Sequence, residues 1–395
     1  MSFKETEIGL IPNDWELKKL IDEVVITMGQ SPKSEFYNTT SEGVPFMQGR
    51  TTFGEKFHSI DTWCTDPKRF AQKNDVLMSV RAPVGDVNIA TRDLCIGRGL
   101  CSLRMENGNN EYLYYLLKNY IDIIISKESG TVFGSINKTS IETLKLPFPS
   151  SKEQKAIAHI LSTLDEKIEV NNQINKTLEN IAQTIFKQWF VDFEFPNGDG
   201  EPYKSSGGEM VESELGMIPK GWEVSNFDKV IKITSGKRPK EREEVKQNNH
   251  IYPLVGASSI MGYTTEYNFD EEIIVIGRVG THGIIQRFKD KIWASDNTLV
   301  IKSIFIEYTN QILKIIDYKS LNRGSTQPLI TQTDIKNHKI IFPCESILNK
   351  YEEIVSVNSE MIDMKNTENQ RLKELRDSLL PKLMSGEIRV PIEEN

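Results

Sequence analysis

Polar side chains able to read or hold a partner gather in this sequence around short glycine turns. In the first half they are Gln30, Ser31 and Lys33 after Gly29; Gln48 and Arg50 around Gly49; Arg81; Arg98 between Gly97 and Gly99; and Asn137-Lys138-Thr139. The second half offers Lys237 and Arg238 after Gly236; Ser258 and Ser259; Arg278, Thr281 and His282 within IGRVGTHG; Asn297; Gln327; and Thr331-Gln332-Thr333. Arg, Lys, Gln, Asn, Ser and Thr are the side chains that reach base edges and phosphates. Each one alone also fits a solvated loop. Their recurrence at matching places in both halves is what makes the group a candidate nucleic-acid surface.

Covalent chemistry finds little support. The histidines (His58, His159, His250, His282 and His338) are scattered, and Cys64, Cys95, Cys101 and Cys344 form no C-x-x-C pair. Neither a G-x-x-x-x-G-K-[ST] phosphate loop nor H-E-x-x-H nor G-x-S-x-G occurs. The glycines of IGRVGTHG read better as tight turns between strands than as a cofactor cradle. No paired-carboxylate motif stands out among the 56 acids, so the chain reads as a binder and not as an enzyme, with no metal site.

The net charge of −8 argues against nucleic acid, but its distribution matters more than its sum. Residues 1–150 carry 17 basic against 19 acidic side chains and 151–217 carry 6 against 12, whereas 218–344 carry 18 against 14 and 345–395 carry 7 against 11. The acidity sits mainly outside the two turn-rich regions, which leaves either of them open to DNA. No apolar run approaches the roughly 18 residues of a membrane span. MSFKETEIGL lacks the basic flank and apolar stretch of a secretion signal, so a cytoplasmic location with reduced thiols is expected.

The elements that position these turns are duplicated. ETEIGLIPNDWE (5–16) and ESELGMIPKGWE (212–223) share seven of twelve residues at a shift of 207. Thr27–Pro32 matches Thr234–Pro239 at the same shift, and GSINKTSIETLKLPFP (134–149) aligns with PLITQTDIKNHKIIFP (328–343) at 194. Each copy opens with short β-rich runs, such as DVLMSVRAPVGDVNIA and EEIIVIGRVGTHGIIQRF, broken by glycine and joined to helical stretches. From Ser151 there is then no proline before Pro196 and no glycine before Gly198.

Ile157, Leu161, Leu164, Ile168, Leu178, Ile185 and Trp189 recur in steps of four and three, with Asn171, Asn175 and Ala182 at the remaining seam sites. This predicts a coiled-coil helix about 60 Å long, capped by serine with an acid in its first turn. The second copy repeats the stripe with Ile354, Val357, Met361, Met364, Leu372, Leu375, Leu379 and Leu383, and Pro381 is expected to kink or loosen its last turn. Seam asparagines (Asn171, Asn175, Asn369) either fix register or lie at a solvated edge. Phe186, Trp189 and Phe190 either receive a partner or pack within the chain. FPNGDGEPYKSSGGEMVESELG reads as a flexible link, and Ile218, Pro219 and Trp222 read as packing residues.

The paired IP-x-x-WE openings, the LPFPSSKEQKAIAHILSTLDEKIE helix and the endings IFKQWFVDFEF and LLPKLMSGEIRV resemble the DNA-specificity (S) subunit of type I restriction–modification enzymes. The resemblance implies an α+β chain with two α/β target-recognition domains in a tandem pseudo-two-fold repeat, separated by two long helices packed as an antiparallel coiled coil. The expected order is a first recognition domain over 1–150, a helix over 151–192, a linker over 193–217, a second recognition domain over 218–344, a helix over 345–384 and a tail over 385–395. Each domain would read one half of a bipartite site in double-stranded DNA, and the helices would set the spacer. Two methylation subunits and, in the full complex, two restriction subunits would dock around the chain. The methylation subunits would carry S-adenosylmethionine and flip an adenine, and the restriction subunits would use ATP; this chain would hold neither cofactor. The rival readings are a coiled-coil scaffold and the recognition region of a fused methyltransferase–nuclease. The latter would need an N-P-P-[FY] motif, which is absent from the sequence.

Overall fold

The computed structural model describes residues 2–127, 134–247, 249–280, 283–321, 323 and 329–391. The chain divides into two compact units, one ending at Asn172 and resuming at Lys365, the other running from Gln173 to Met364. Both boundaries fall inside a long helix, so each unit holds one globular part and about half of each helix. Among the described residues no helix is long and apolar enough to cross a membrane.

In the first unit an antiparallel sheet runs in the order Val87–Ile89, Val76–Ser79, Leu100–Met105, Val24–Met28. A second sheet orders Tyr37–Asn38, Trp63–Cys64, Val44–Met47, Leu94–Ile96 and Phe70–Ala71, with one parallel pairing between Cys95–Ile96 and Phe46–Met47. The strand Val76–Ser79 is buried along its whole length, as β-branched and apolar runs covered on both faces must be. Tyr112, Leu113, Tyr115 and Leu116 of the helix Asn110–Asn119 are fully buried and join the same core. The second unit repeats the plan. Its four-stranded sheet orders Lys232–Ser235, Thr298–Lys302, Ile273–Gly277 and Ile285–Phe288, beside a three-stranded sheet and the helix Ile306–Ile315.

The first long helix spans Ser151–Phe186, with the Ser150 hydroxyl accepting the Glu153 N–H at 3.3 Å, and it passes into a π-turn at Lys187–Val191. Its buried face follows the expected steps of four and three through Ile157, Leu161, Ile168, Asn171, Asn175 and Ala182. The second long helix spans Glu345–Met384 and stays helical through Pro381. Its inward face differs from the expected stripe. Leu348, Tyr351, Val355, Asn369, Arg376 and Leu383 are buried, whereas Ile354, Val357, Met361, Met364 and Leu375 are exposed. Leu372, Leu379 and Leu383 of that stripe are half-buried or buried, but its part from Ile354 to Met364 is exposed, while Asn369 and Arg376 occupy inward positions and are satisfied there by partners on the first helix. Within the first unit Arg376 pairs with Asp165 at 2.7 Å, while Asn171 donates to Asn369 at 2.8 Å and Asn369 to Asn172 at 2.9 Å. Pairing that runs forward on one helix and backward on the other is antiparallel. The seam asparagines are thus buried, with Asn171 and Asn369 bonded to each other, not at a solvated edge.

Two further expectations resolve. Phe186, Trp189 and Phe190 pack within the second unit against Trp222, Tyr308 and Tyr351, so they are not a docking surface. The segment after them folds tightly. Phe195 stacks between Tyr203 and Trp222 at ring-centroid distances of 4.6 and 4.8 Å, and the Asn197 carboxamide accepts the Asp199 and Glu201 N–H groups. A segment so plugged is a built part of the unit and not a flexible tether. In the first unit the residues after the second helix play the same part. Gly386, at φ +72°, closes on Pro12, and Arg389 bonds Asp14 and Glu153, the acid that accepts the Trp15 indole N–H. The IP-x-x-WE motif therefore supplies a buried tryptophan on which the chain leaving a long helix closes. Trp15 and Ile11, like Ile218, are at most 2 % exposed and Trp222 is 7 % exposed.

Candidate nucleic-acid interface

Six backbone hydrogen bonds build the same frame in both units. The Gly29 N–H donates to the Leu100 carbonyl at 2.9 Å, as Gly236 does to Thr298 at 3.1 Å. Gln30 donates to Ile96 as Lys237 does to Ala294, and Gly97 to Met47 as Ser295 does to Val255. Leu100 closes a turn onto Gly97 as Thr298 does onto Ser295. Val80 donates to Gly99 as Arg278 does to Asn297, and Ile136 to Val80 as Ile330 does to Arg278. The approach of the strands is close enough to exclude any side chain at the first glycine. A Cβ on Gly29 would come within 3.0 Å of the Gly97 and Leu100 carbonyl oxygens, and one on Gly236 within 3.0 Å of those of Ser295 and Ala294. Glycine is required at these two points by proximity, not by a left-handed backbone.

In the first unit this frame brings most of the candidate residues onto one rim. The Ser31 hydroxyl donates to Gln48 Oε1 at 2.9 Å and accepts the Arg98 N–H at 3.0 Å. Gln30, Gln48 and Arg98 are exposed beside it. Arg50 pairs with Asp86, tying the Gln48 loop to the turn after Ser79. Exposed Arg81 lies on that turn and bridges to Ser135, next to Lys138 and Thr139 at the start of the short helix Lys138–Glu142. Asn137 caps that helix by accepting the Ser140 N–H, and Lys138 pairs with Glu142 at 3.5 Å. Lys33 stands farther along, exposed and 3.5 Å from Glu35.

In the second unit Lys237 and Arg238 follow the frame glycine, and the Lys237 carbonyl accepts the Trp293 indole N–H at 2.7 Å. Arg238 lines a concavity of about 610 Å³ together with Lys240, Arg242, Asp296 and Asn297. Ser258 and Ser259 occupy the exposed tip of the hairpin that follows Tyr252–Val255. Arg278 is half-buried, its backbone held in the frame. Gln332 is engaged within the fold, its carboxamide bonding the Ser235 hydroxyl at 3.0 Å. Thr331 forms a capping box with Asp334, and Thr333 is exposed. Thr281, His282 and Gln327 lie outside the described residues.

The frame recurs, but the side chains on it do not. Arg98 stands where the second unit has Asp296, Gln30 where it has Lys237, and Arg81 where it has Val279, one residue past Arg278. Matching glycines therefore overstated how far the polar residues themselves repeat. Lys240, Arg242 and Asp296 were not singled out in the sequence. The basic run KRPKER held a signal for the first two, while Asp296 shows its place only through the frame.

Such a doubled frame matches a known family in sequence. The family model of the type I restriction modification DNA specificity domain matches residues 12–180 and again residues 219–376. This chain belongs to that family. A type I restriction enzyme specificity subunit of Methanocaldococcus jannaschii (MjaIX) is 30% identical over 98% of this chain and 96% of its own length. A putative one from the same organism (MjaX) is 42% identical over 47% of this chain and 44% of its own. In fold, the chain is similar to the crystal structure of a type I restriction–modification S subunit from M. genitalium, with a TM-score of 0.62 at 18% identity over 97% of each chain. Each match of the family model begins within an IP-x-x-WE opening and runs into the following long helix, so the family unit is a frame plus its helix.

Proposed function

We propose that this chain chooses the DNA sequence on which a type I restriction–modification assembly acts. Each globular part reads one half of a bipartite site, and the helix pair sets the unread spacer. The observation that carries this reading is the twice-built frame with different side chains on it. A frame repeated in backbone but divergent in its exposed polar groups suits one docking geometry and two unlike half-sites. The candidate DNA-contacting residues are the rim residues of the first unit and Lys237, Arg238, Ser258, Ser259 and Arg278 of the second.

The chain is non-catalytic in this reading. Two methylation subunits with S-adenosylmethionine and, in the full complex, two restriction subunits using ATP supply the chemistry. Ile354, Val357, Met361 and Met364, exposed at steps of three and four along the second helix, offer a helical partner an apolar stripe of coiled-coil spacing. A bare scaffold would use that stripe but would have no use for two frames with divergent polar rims. The test is to exchange residues 1–150 for those of a relative and map methylated adenines in cells that also carry the methylation subunit. One half of the recognised sequence should change while the other half and the spacer stay. A change in both halves, or in neither, would overturn the reading.

A further inference from the structure

Resting on that reading, we propose that Arg98 and Asp296 are the equivalent base-reading residues of the two units, Arg98 selecting a guanine and Asp296 selecting a base with an exposed amino group, cytosine first. Both are the second residue of the same turn, Gly97–Leu100 in one unit and Ser295–Thr298 in the other, and the same frame bonds hold both turns. Both side chains are exposed, and among the described residues neither side chain has a hydrogen-bonded or ionic partner. The turns beneath them are pinned by the glycine contacts, so the side chains project from backbone that cannot easily shift. A rigid base under a free side chain suits direct readout, where a placement error of an ångström forfeits the contact.

The chemistry assigns the bases. Beside Arg98 the Gln48 side chain offers a donor. Gln48 spends its carbonyl oxygen on Ser31, which leaves its amide NH₂ for a partner. A guanidinium beside an amide donor suits the O6 and N7 acceptors of guanine in the major groove. Asp296 has the opposite character. It lines a concavity with Arg238, Lys240, Glu241 and Arg242, and carboxylates there repel a phosphate that the cations would otherwise hold. Its use in a DNA surface is to accept from an exocyclic amine, as Asp and Glu do from cytosine N4.

The experiment maps adenine methylation genome-wide in cells carrying the full chain with its methylation subunit. Arg98→Ala should relax one position of one half-site, lowering the preference for guanine there by roughly 10- to 100-fold. Asp296→Ala should relax one position of the other half-site, and Asp296→Asn should move its preference towards adenine, the base that asparagine pairs with. In each variant the untouched half-site must stay fully specified, which checks folding and assembly in the same data. An unchanged motif with uniformly weaker methylation would mean a phosphate contact and would overturn the inference while leaving the specificity reading intact. Relaxation at several positions, or at a base other than these, would overturn it as well. Methylation without any bipartite motif in the unaltered chain would instead overturn the reading beneath it.

Discussion

Replacing Asp165 by alanine should destabilise the first unit by about 3 kcal/mol. Asp165 is 5% exposed and Arg376 11% exposed, and their side chains meet at 2.7 Å. The other carboxylate oxygen accepts the Tyr115 hydroxyl at 2.5 Å. Burial, with the Asp165 carboxylate beside it, holds the Tyr115 phenol well above its ordinary pKa, so it remains a donor. Removing one member of a buried pair costs about 3–5 kcal/mol, because the partner charge is left uncompensated. A buried hydroxyl deprived of its acceptor adds about 1–3 kcal/mol. Two features reduce the sum. Arg376 keeps Asp377 at 2.9 Å, and the concavity beside Asp165 can admit water to the vacated site. Together they bring the net cost down to about 3 kcal/mol. Hydrogen-exchange mass spectrometry resolves the two units separately. A loss of about 3 kcal/mol should speed exchange of the most protected amides of residues 151–172 by about 150-fold, with those of the second unit unchanged. Tyr115→Phe alone should cost about 1 kcal/mol. Acceleration below about fivefold for Asp165→Ala would show that the ion pair is not what joins the helices here.

Gly29→Ala and Gly236→Ala should each cost about 3 kcal/mol or more, since the overlap is with backbone, whereas Gly49→Ala, with no atom within 4 Å of the added carbon, should be nearly silent; urea unfolding separates them. Burial pushes the Glu352 carboxyl up to about 7 against the Glu307 and Tyr308 N–H groups that pull it down, with Glu307 and Arg287 also facing it. The folded state then holds that proton more tightly than the unfolded one, so the contribution of this group to stability is fullest below about pH 4.5. It should fall by up to about 3 kcal/mol as pH rises through 7, and denaturation of Glu352→Gln at pH 5 and 8 should show that slope flattened. Asn369→Leu takes one of two acceptors from the buried Asn171 amide, which keeps Glu368 at 3.1 Å, and frees the exposed Asn172, so it should cost about 1 kcal/mol. The Asn171→Leu/Asn369→Leu pair should recover stability but admit a second spacer length in methylation maps if the asparagines fix register. The isolated chain, with its first 150 residues at 17 basic against 19 acidic, should bind DNA weakly and with a shallower salt slope than the assembly. Tight specific binding by the chain alone at physiological salt would contradict this.

Periodicity made the architecture legible because burial of the first long helix follows apolar residues. It held only in part on the second, where Leu372, Leu379 and Leu383 are covered but Asn369 and Arg376 face inward and Ile354, Val357, Met361 and Met364 face solvent. Hydropathy cannot see that an inward arginine has found a buried aspartate on another element. The role of Trp15 and Trp222 was readable only as packing, since the groups that close on them, Gly386 with Arg389 and Phe195, lie far along the chain or across a turn-rich linker. The candidate surface was legible through its glycines, whose requirement is steric and leaves a mark in sequence. Asp296 was missed because an acid in a polar turn leaves no such mark. Only the frame, bond by bond, shows that it stands where Arg98 does.

That separation between frame and side chain has an energetic consequence. The frame rests on backbone bonds and on glycines that tolerate no substituent, so changes there act on folding. Arg98, Asp296 and Gln30 are exposed, and surface substitutions away from caps, cores and buried pairs usually shift stability by only about ±0.5 kcal/mol. A base contact, by contrast, is worth about 1–3 kcal/mol of discrimination. The same substitution can thus alter what is read by roughly 10- to 100-fold while leaving the unit folded. Gln332 marks the edge of this freedom. Its carboxamide holds Ser235 beside the frame glycine, so Gln332→Ala should cost stability before it alters recognition. A methylation map of that variant with an unchanged motif, beside a lowered unfolding midpoint, would place Gln332 with the frame, whereas a changed motif at unchanged stability would place it among the readers.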